Sequence, residues 1–435
     1  MLGRSPRLSP VIGAGRLIGL TFAVIAPATS VFLTYGTAYD LAGTRLVFSY
    51  AVGAAVNLAI MFCYAELGSR FPEAGGDYAL AARSLGRWAG SVYTVLFAVK
   101  GVAIPALLAL SCAAYLHQLW PGISPPLAAM IIFLLFVALS GLDIRTSSAV
   151  VTLMVSVELS VFVLFTIVTA AHIRQSGNVF LRPTAHGPGA GWSWLGAVPA
   201  ALYGLNGAQA SLYYSEEAVA SPRRMGRTIL GAAVVTVIIE LTEVVLGTLA
   251  LPHIEGIHGG LPLAGVIEQN LGPRAELVIV GGMTVALFDT GVATTMSYAR
   301  IFYAIARDHQ WPPVLNRTMS YITRRQVPIG ALLVLAALNL TVLAVSGINL
   351  LVTLGGSLLI VIYLGIIAGT VMTRLRRDAP AYAMPFWPWP PLVALFGLIL
   401  SLARLQQSHL ALTGLIMLLG LAWSLVVPSP PEASG

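Results

Sequence analysis

The sequence predicts an all-α protein that crosses the membrane many times, and three observations predict it. Apolar residues make up 57% of the chain and charged residues only 9%, against roughly 25% charged in a soluble domain. The mean hydropathy is +0.85, and the apolar residues gather into long runs parted by short polar loops, the pattern of spanning helices. Arginine is unevenly shared between alternate loops, as the positive-inside rule requires.

Twelve spans are marked, at 17–40, 44–66, 89–117, 124–142, 147–172, 193–217, 227–252, 275–304, 327–346, 349–373, 388–405 and 409–427. With the N-terminus in the cytoplasm, 18 arginines fall on the inner side and 5 on the outer side, the latter being Arg45, Arg174, Arg182, Arg274 and Arg404. Twelve spans with both termini inside fit that bias. The net charge of +7 is thus topological, and no nucleic-acid partner is expected. Trp88, Trp120, Trp192, Trp194, Trp387 and Trp389 sit at span ends, as interfacial anchors do. Arg4, Arg7 and Arg16 lead into a full-length first span, not a cleavable signal peptide. Cys63 and Cys112 both lie in apolar runs and read as small core residues. A short external helix is expected over 261–271, between a Pro and a Gly.

Two spans are interrupted at matching depth. The first holds Pro27 inside the apolar run Ile25-Ala26-Pro27-Ala28-Thr29. The sixth holds Tyr203-Gly204-Leu205-Asn206-Gly207. An unwound backbone survives within a membrane only where it is buried in protein or lines a cavity. Paired breaks in two halves of a chain are the sequence mark of a secondary transporter's binding site. Spans 1–5 and 6–10 then form two repeats; five is odd, so the second is inverted. The expected organisation is a cytoplasmic N-terminus (1–16), a 5+5 core (17–375), two extra spans behind a Pro-rich linker (376–427) and a cytoplasmic tail (428–435).

Three segments carry a family resemblance. The loop after span 2 reads Glu66-Leu-Gly-Ser-Arg-Phe-Pro72-Glu-Ala-Gly75-Gly76-Asp77-Tyr78; Ser215-Glu216-Glu217 leads to Pro222-Arg-Arg; Tyr298-Ala-Arg300 leads to Ala306-Arg307-Asp308 and Pro312. In this order and at these topological positions they resemble the signatures of the amino acid–polyamine–organocation superfamily. The resemblance covers residues 15–375. It implies a LeuT-like fold with broken helices 1 and 6, and transport of amino acids or related amines, driven by ions or by exchange. It also implies that residues 25–29 and 203–207 hold the substrate. Members carrying α-amino acids often present Gly-Ser/Ala-Gly at the first break, where backbone N–H groups take the carboxylate; Pro27 here removes one donor. By the same alignment Leu205 takes the place of an aromatic gate, which leaves room for a larger side chain. Relatives with a lysine at the sodium position carry it on span 5, where this chain has Glu158.

Five ionisable residues lie near mid-span: Lys100, Glu158, Glu240, Glu243 and Asp289. Each costs about 2.5–3.5 kcal/mol on insertion scales, so function is the default reading. Lys100 is the only lysine in the chain; unlike arginine, a buried lysine can give up its proton. Lys100 and Glu158 are expected to pair and to carry a coupling proton. Glu240 and Glu243 share a helix face at i,i+3 and form either a proton site or hydrogen bonds to neighbouring helices. Asp289, Thr294, Thr295 and Ser297 either ligate sodium or pack helices. Glu66, Glu73 and Asp77 lie with Arg70, Arg83 and Arg87, and Glu216 and Glu217 precede Arg223, Arg224 and Arg227; these read either as an inner-face salt-bridge network that opens and closes with transport or as a static solvated patch.

The sequence disfavours other classes. All seven histidines fall in loops or at span ends, and no His-Glu-x-x-His occurs. The lone lysine is not in a Walker A context, so this chain does not use ATP. Two dissimilar breaks do not make the rings of a channel filter. The expected function is a plasma-membrane permease for an amino acid or amino-acid-derived amine, coupled to protons rather than sodium and without a cofactor; the alternative is a polyamine or organic-cation exchanger of the same fold.

Overall fold

A computed structural model describes residues 8–181, 193–251, 262–345, 348–377, 379–403, 405 and 407–427. The expected tail 428–435, residues 1–7, Arg182, Trp192, Leu261 and Arg404 lie outside the described residues. The described chain is helical apart from one isolated parallel bridge, Ile12 with Ala218.

Among the described residues, sixteen α-helices run in order: α1 Ala14–Ile25, α2 Pro27–Ala42, α3 Leu46–Arg70, α4 Gly76–Leu85, α5 Arg87–Leu119, α6 Pro125–Ser140, α7 Ile144–Ala171, α8 Val198–Gly204, α9 Pro222–Ala250, α10 Pro262–Leu271, α11 Pro273–Arg307, α12 Pro313–Met319, α13 Ile329–Val345, α14 Ile348–Leu375, α15 Trp389–Leu402 and α16 Gln407–Val426. Among the described residues, seven stretches are long and apolar enough to cross a membrane, by length and composition. Three further apolar helices, α6, α13 and α15, are shorter. The protein is a multi-pass integral membrane protein. Trp88, Trp120 and Trp389 are exposed at helix ends, consistent with an interfacial place.

Long α5 runs through the middle of the bundle, packing on α4, α6, α11, α13, α14 and α16. The interrupted pair α1–α2 packs on α7, α8, α9 and α11. Helices α15 and α16 lean on α3 and α5 respectively, and the apolar face of α16 is mostly uncovered.

Both interruptions fall where Pro and Gly mark them. A residue preceding proline is disfavoured in the α region, and Ala26 leaves α1 for a left-handed conformation, φ 48° and ψ 59°. Its N–H still closes on the Phe22 carbonyl, 2.7 Å away. Pro27 then opens α2 at a position where a missing N–H costs nothing. The second interruption follows Gly204. Gly207 has φ 130°, which an L side chain rarely adopts. The continuation, Ala208–Tyr214, is a 3₁₀ helix.

The signature loop is a packing device. Gly76 has φ 49°, and a Cβ there would stand 2.2 Å from the Tyr213 ring. The Tyr213 hydroxyl donates to Asp77 Oδ2 at 2.7 Å. The loop thereby grips the 3₁₀ segment after the second interruption.

Ion pairs, all but Glu73–Arg83 largely buried, tie helix ends near this loop. Glu66 is fully buried and accepts from Arg70 at 2.8 Å, from Arg374 Nε at 2.6 Å and from the Met384 backbone at 2.8 Å. Glu73 meets Arg83 at 3.1 Å. Glu217 accepts from Arg300 Nη2 at 2.8 Å, and Glu216 meets Arg307 at 2.9 Å. The expected partners Arg223, Arg224 and Arg227 do not join these pairs. Ser221 caps α9, its Oγ accepting from the Arg224 backbone at 3.3 Å, and Arg223, Arg224 and Arg227 are exposed. The N-terminal strap closes over this network: Leu8 N–H donates to Glu216, and Val11 and Ile12 N–H both donate to the Glu217 carbonyl.

Candidate functional site

The two interruptions touch. A Cβ on Gly207 would stand 2.9 Å from Ile25 Cα, so backbone meets backbone. Beside this junction lies a cavity of about 100 Å³. Of the ten residues expected from the interruptions, Ile25, Ala26, Thr29, Tyr203, Gly204 and Asn206 line it. Pro27, Ala28, Leu205 and Gly207 do not. Leu205 is buried away from the cavity at 1% exposure, because the turn ending α8 carries Tyr203 toward the cavity instead. The aromatic wall is Tyr203 with Tyr298 of α11. The expectation of extra room at a leucine gate is therefore replaced by two tyrosines.

Lys100 also lines the cavity. It stands on α5 one turn before Pro105, which interrupts the helical hydrogen bonding. The freed carbonyl of Gly101 accepts instead from Asn339 Nδ2 of α13 at 3.2 Å. Lys100 is 4% exposed, and its Nζ lies 5.7 Å from the Phe97 ring centroid. It makes no ion pair among the described residues; the expected pairing with Glu158 is not formed in this conformation. The two side chains serve different helices.

Glu158, on α7, reaches the start of α2: its Oε1 accepts from the Ala28 N–H at 3.0 Å. The next N–H groups, of Thr29 and Ser30, turn back to the Ala26 carbonyl at 3.1 and 2.8 Å. With Pro27 lacking an N–H, the first turn of α2 has its donors engaged. Sequence reasoning counted the donor lost to Pro27 and missed the one Glu158 takes. Only the three-dimensional approach of α7 reveals it.

Glu240 spans both interruptions. Its Oε1 accepts from Ser30 Oγ at 2.7 Å, and its Oε2 lies 3.2 Å from where a Gly204 Cβ would be. Glu243 is buried one turn further along α9, and Asp289 Oδ1 accepts from Thr290 Oγ1 at 3.3 Å. Glu158, Glu240 and Asp289 each keep one buried oxygen without a partner, and Glu243 keeps two. No cation bonds any of the four. Among the described residues no group of three acids or imidazoles is arranged to hold a metal ion. On α11, Thr290, Thr295 and Ser297 bond carbonyls of their own helix, as helix-packing hydroxyls do. Thr294 faces the cavity.

Asn206 is the polar hinge of the second interruption. Its Oδ1 accepts from Tyr363 at 2.7 Å and from Gln209 at 3.0 Å. With its oxygen bonded twice, the Asn206 amide nitrogen is left as a donor in a residue that lines the cavity.

A multi-pass helical protein with two interrupted helices meeting beside a cavity is built to pass a small molecule across a membrane; it is a transporter, not an enzyme. The chain matches the family model described as amino acid permease over residues 12–416, and it belongs to that family. It is 24% identical over 431 residues to the branched-chain amino acid permease BcaP of Lactococcus lactis subsp. cremoris, covering 91% of this chain and 90% of the relative. It is 25% identical to the Asc-type amino acid transporter 1 of Mus musculus, over 77% of this chain and 64% of that one. It is 26% identical to the large neutral amino acids transporter small subunit 2 of Homo sapiens, over 73% of this chain and 61% of that one.

Proposed function

We propose that this permease carries a neutral amino acid by alternating access, coupled to a proton, on a LeuT-like 5+5 inverted repeat of twelve spans. The observation that carries the reading is the junction of two helix interruptions at one cavity, mostly apolar but lined also by Lys100, Asn206 and several hydroxyls. Such junctions present backbone dipoles and carbonyls to a zwitterion at mid-membrane. The names of two relatives, for branched-chain and for large neutral amino acids, support a neutral substrate. The polyamine or organic-cation reading draws no support from the cavity, whose one charged lining residue is the cation Lys100.

Cavity volume narrows the substrate. About 100 Å³ is less than the roughly 150 Å³ of a cavity that takes benzene. This conformation therefore suits a short side chain, and a branched or aromatic one requires Tyr203 to move.

Proton coupling draws its support from Glu158, Glu240, Glu243 and Asp289, buried carboxyl groups that each keep an unpartnered oxygen. Ionised and unpaired, such groups carry a large desolvation cost, so neutral and charged forms belong to different conformations. Glu158 is best placed to transmit the change. Its charge favours the positive end of α2, by roughly 0.3–1 kcal/mol at exposed helix ends and up to about 2 when partly buried. Protonation weakens that hold and releases the second half of the interrupted helix.

The test is uptake into proteoliposomes of the full chain under an imposed pH gradient, with and without sodium. Accumulation of alanine or serine ahead of leucine, driven by an inward proton gradient in sodium-free buffer, is expected. Strict sodium dependence overturns the coupling, and failure to take up any amino acid overturns the substrate class.

A further inference from the structure

Resting on the amino acid reading above, we propose that Lys100 takes the substrate's carboxylate, so that this permease discriminates by the acid group and uses a side chain where a helix start would otherwise serve. Two independent observations lead there. The first is that the start of α2 is already engaged. Pro27 has no N–H, Ala28 N–H is held by Glu158 at 3.0 Å, and Thr29 and Ser30 N–H bond the Ala26 carbonyl. A second carboxylate brought to that helix start would meet the Glu158 charge with no free donor to hold it.

The second observation is the character of the cavity wall. Lys100 is 4% exposed, lines the cavity, and has no hydrogen bond or ion pair among the described residues. It presents three N–H donors and no acceptor. The Asn206 amide nitrogen is left as a donor once its oxygen is bonded by Tyr363 and Gln209. The four buried acids all stay out of the lining. A buried ammonium that forms no ion pair, and whose opposing charge is the more distant Asp77 carboxylate already held by Tyr213, calls for an anionic oxygen ligand. The substrate ammonium is left to the carbonyls at the ends of α1 and α8.

The inference predicts a rank order in the unaltered protein. In proteoliposomes loaded by counterflow with labelled alanine, free alanine, serine and the des-amino acid propionate compete. Alaninamide and ethylamine compete roughly tenfold to a hundredfold less well, the difference one charge-assisted contact makes. Lys100→Arg keeps the preference for the acid. Lys100→Gln loses it, so that alanine and alaninamide compete equally. Thermal shift with the same compounds on purified protein reads binding without transport and shows whether each variant is folded. Ethylamine or alaninamide competing as well as alanine in the unaltered protein overturns the inference, as does an intact acid preference in folded Lys100→Gln. No competition by any amino acid or amine overturns the parent reading instead. The compound series on unaltered protein decides the matter even where Lys100→Gln does not fold.

Discussion

Ala26 and Gly207 set the geometry of the junction, and they do so at unequal cost. An alanine in the left-handed region carries roughly 1–2 kcal/mol of strain, and Ala26 adopts it at φ 48°. Ala26→Gly relieves that strain, so the purified protein should melt higher by an amount equivalent to about 1 kcal/mol. Nephelometry or dye-based melting checks it; an unchanged or lower melting temperature means the position is not strained. Gly207 tolerates no such exchange. Its φ of 130° and the 2.9 Å approach to Ile25 Cα make Gly207→Ala strained on two counts, and transport should fall at least tenfold. The positions of both interruptions were legible because Pro and Gly punctuate backbone structure in any context. The direction of side chains around them was not. Tyr203 and Leu205 stand two residues apart in a turn, and which one faces the cavity depends on the twist of that turn.

At the scale of elements, the interrupted helices are held by neighbours on α7 and α9. Glu158 binds α2 from one side, and Glu240 binds it through Ser30 while standing against Gly204. Burial of these acids was readable from their depth in apolar runs, but their partners depended on how each helix is rotated. The expected Lys100–Glu158 pair rested on equal depth along two helices, and depth says nothing about facing. Glu158→Gln keeps an oxygen for the Ala28 N–H and removes the charge. Exchange of amino acid should persist, while acceleration by an imposed proton gradient disappears. Glu158→Ala leaves the Ala28 N–H buried without a partner, a cost of roughly 1–3 kcal/mol, and should lower the melting temperature as well. Uptake in Glu158→Gln that still follows the pH gradient moves the proton site to Glu240, Glu243 or Asp289.

Across the whole molecule, one end of the bundle is fastened more heavily than a static scaffold requires. Glu66 joins α3 to α14 and to the segment before α15; Glu216 and Glu217 join the 3₁₀ segment to α11; the strap from Leu8 to Ile12 lies over both. On the proposed topology this is the cytoplasmic end. Most of the fastened residues belong to the motifs that carried the family resemblance, so the motifs describe this fastened end and not the cavity. That is why they reveal the fold and leave the substrate open. If the protein works by the proposed alternating access, this end opens once per cycle, and we propose that the ion pairs set the closed population. Removing one partner of a buried pair outright costs roughly 3–5 kcal/mol, because the other charge is stranded. Glu217→Gln is milder, since it keeps an oxygen for Arg300 and gives up the charge. It should shift the population toward the form open to the cytoplasm. Cys63 and Cys112 are both buried, so a cysteine placed at cavity-lining Thr29 reports alone. A membrane-impermeant thiol reagent applied to inside-out vesicles should label Thr29→Cys several-fold faster when Glu217→Gln is present, and applied to the outer face it should label more slowly. Equal labelling from both faces in the two backgrounds would show that the pair fastens the fold and not the gate.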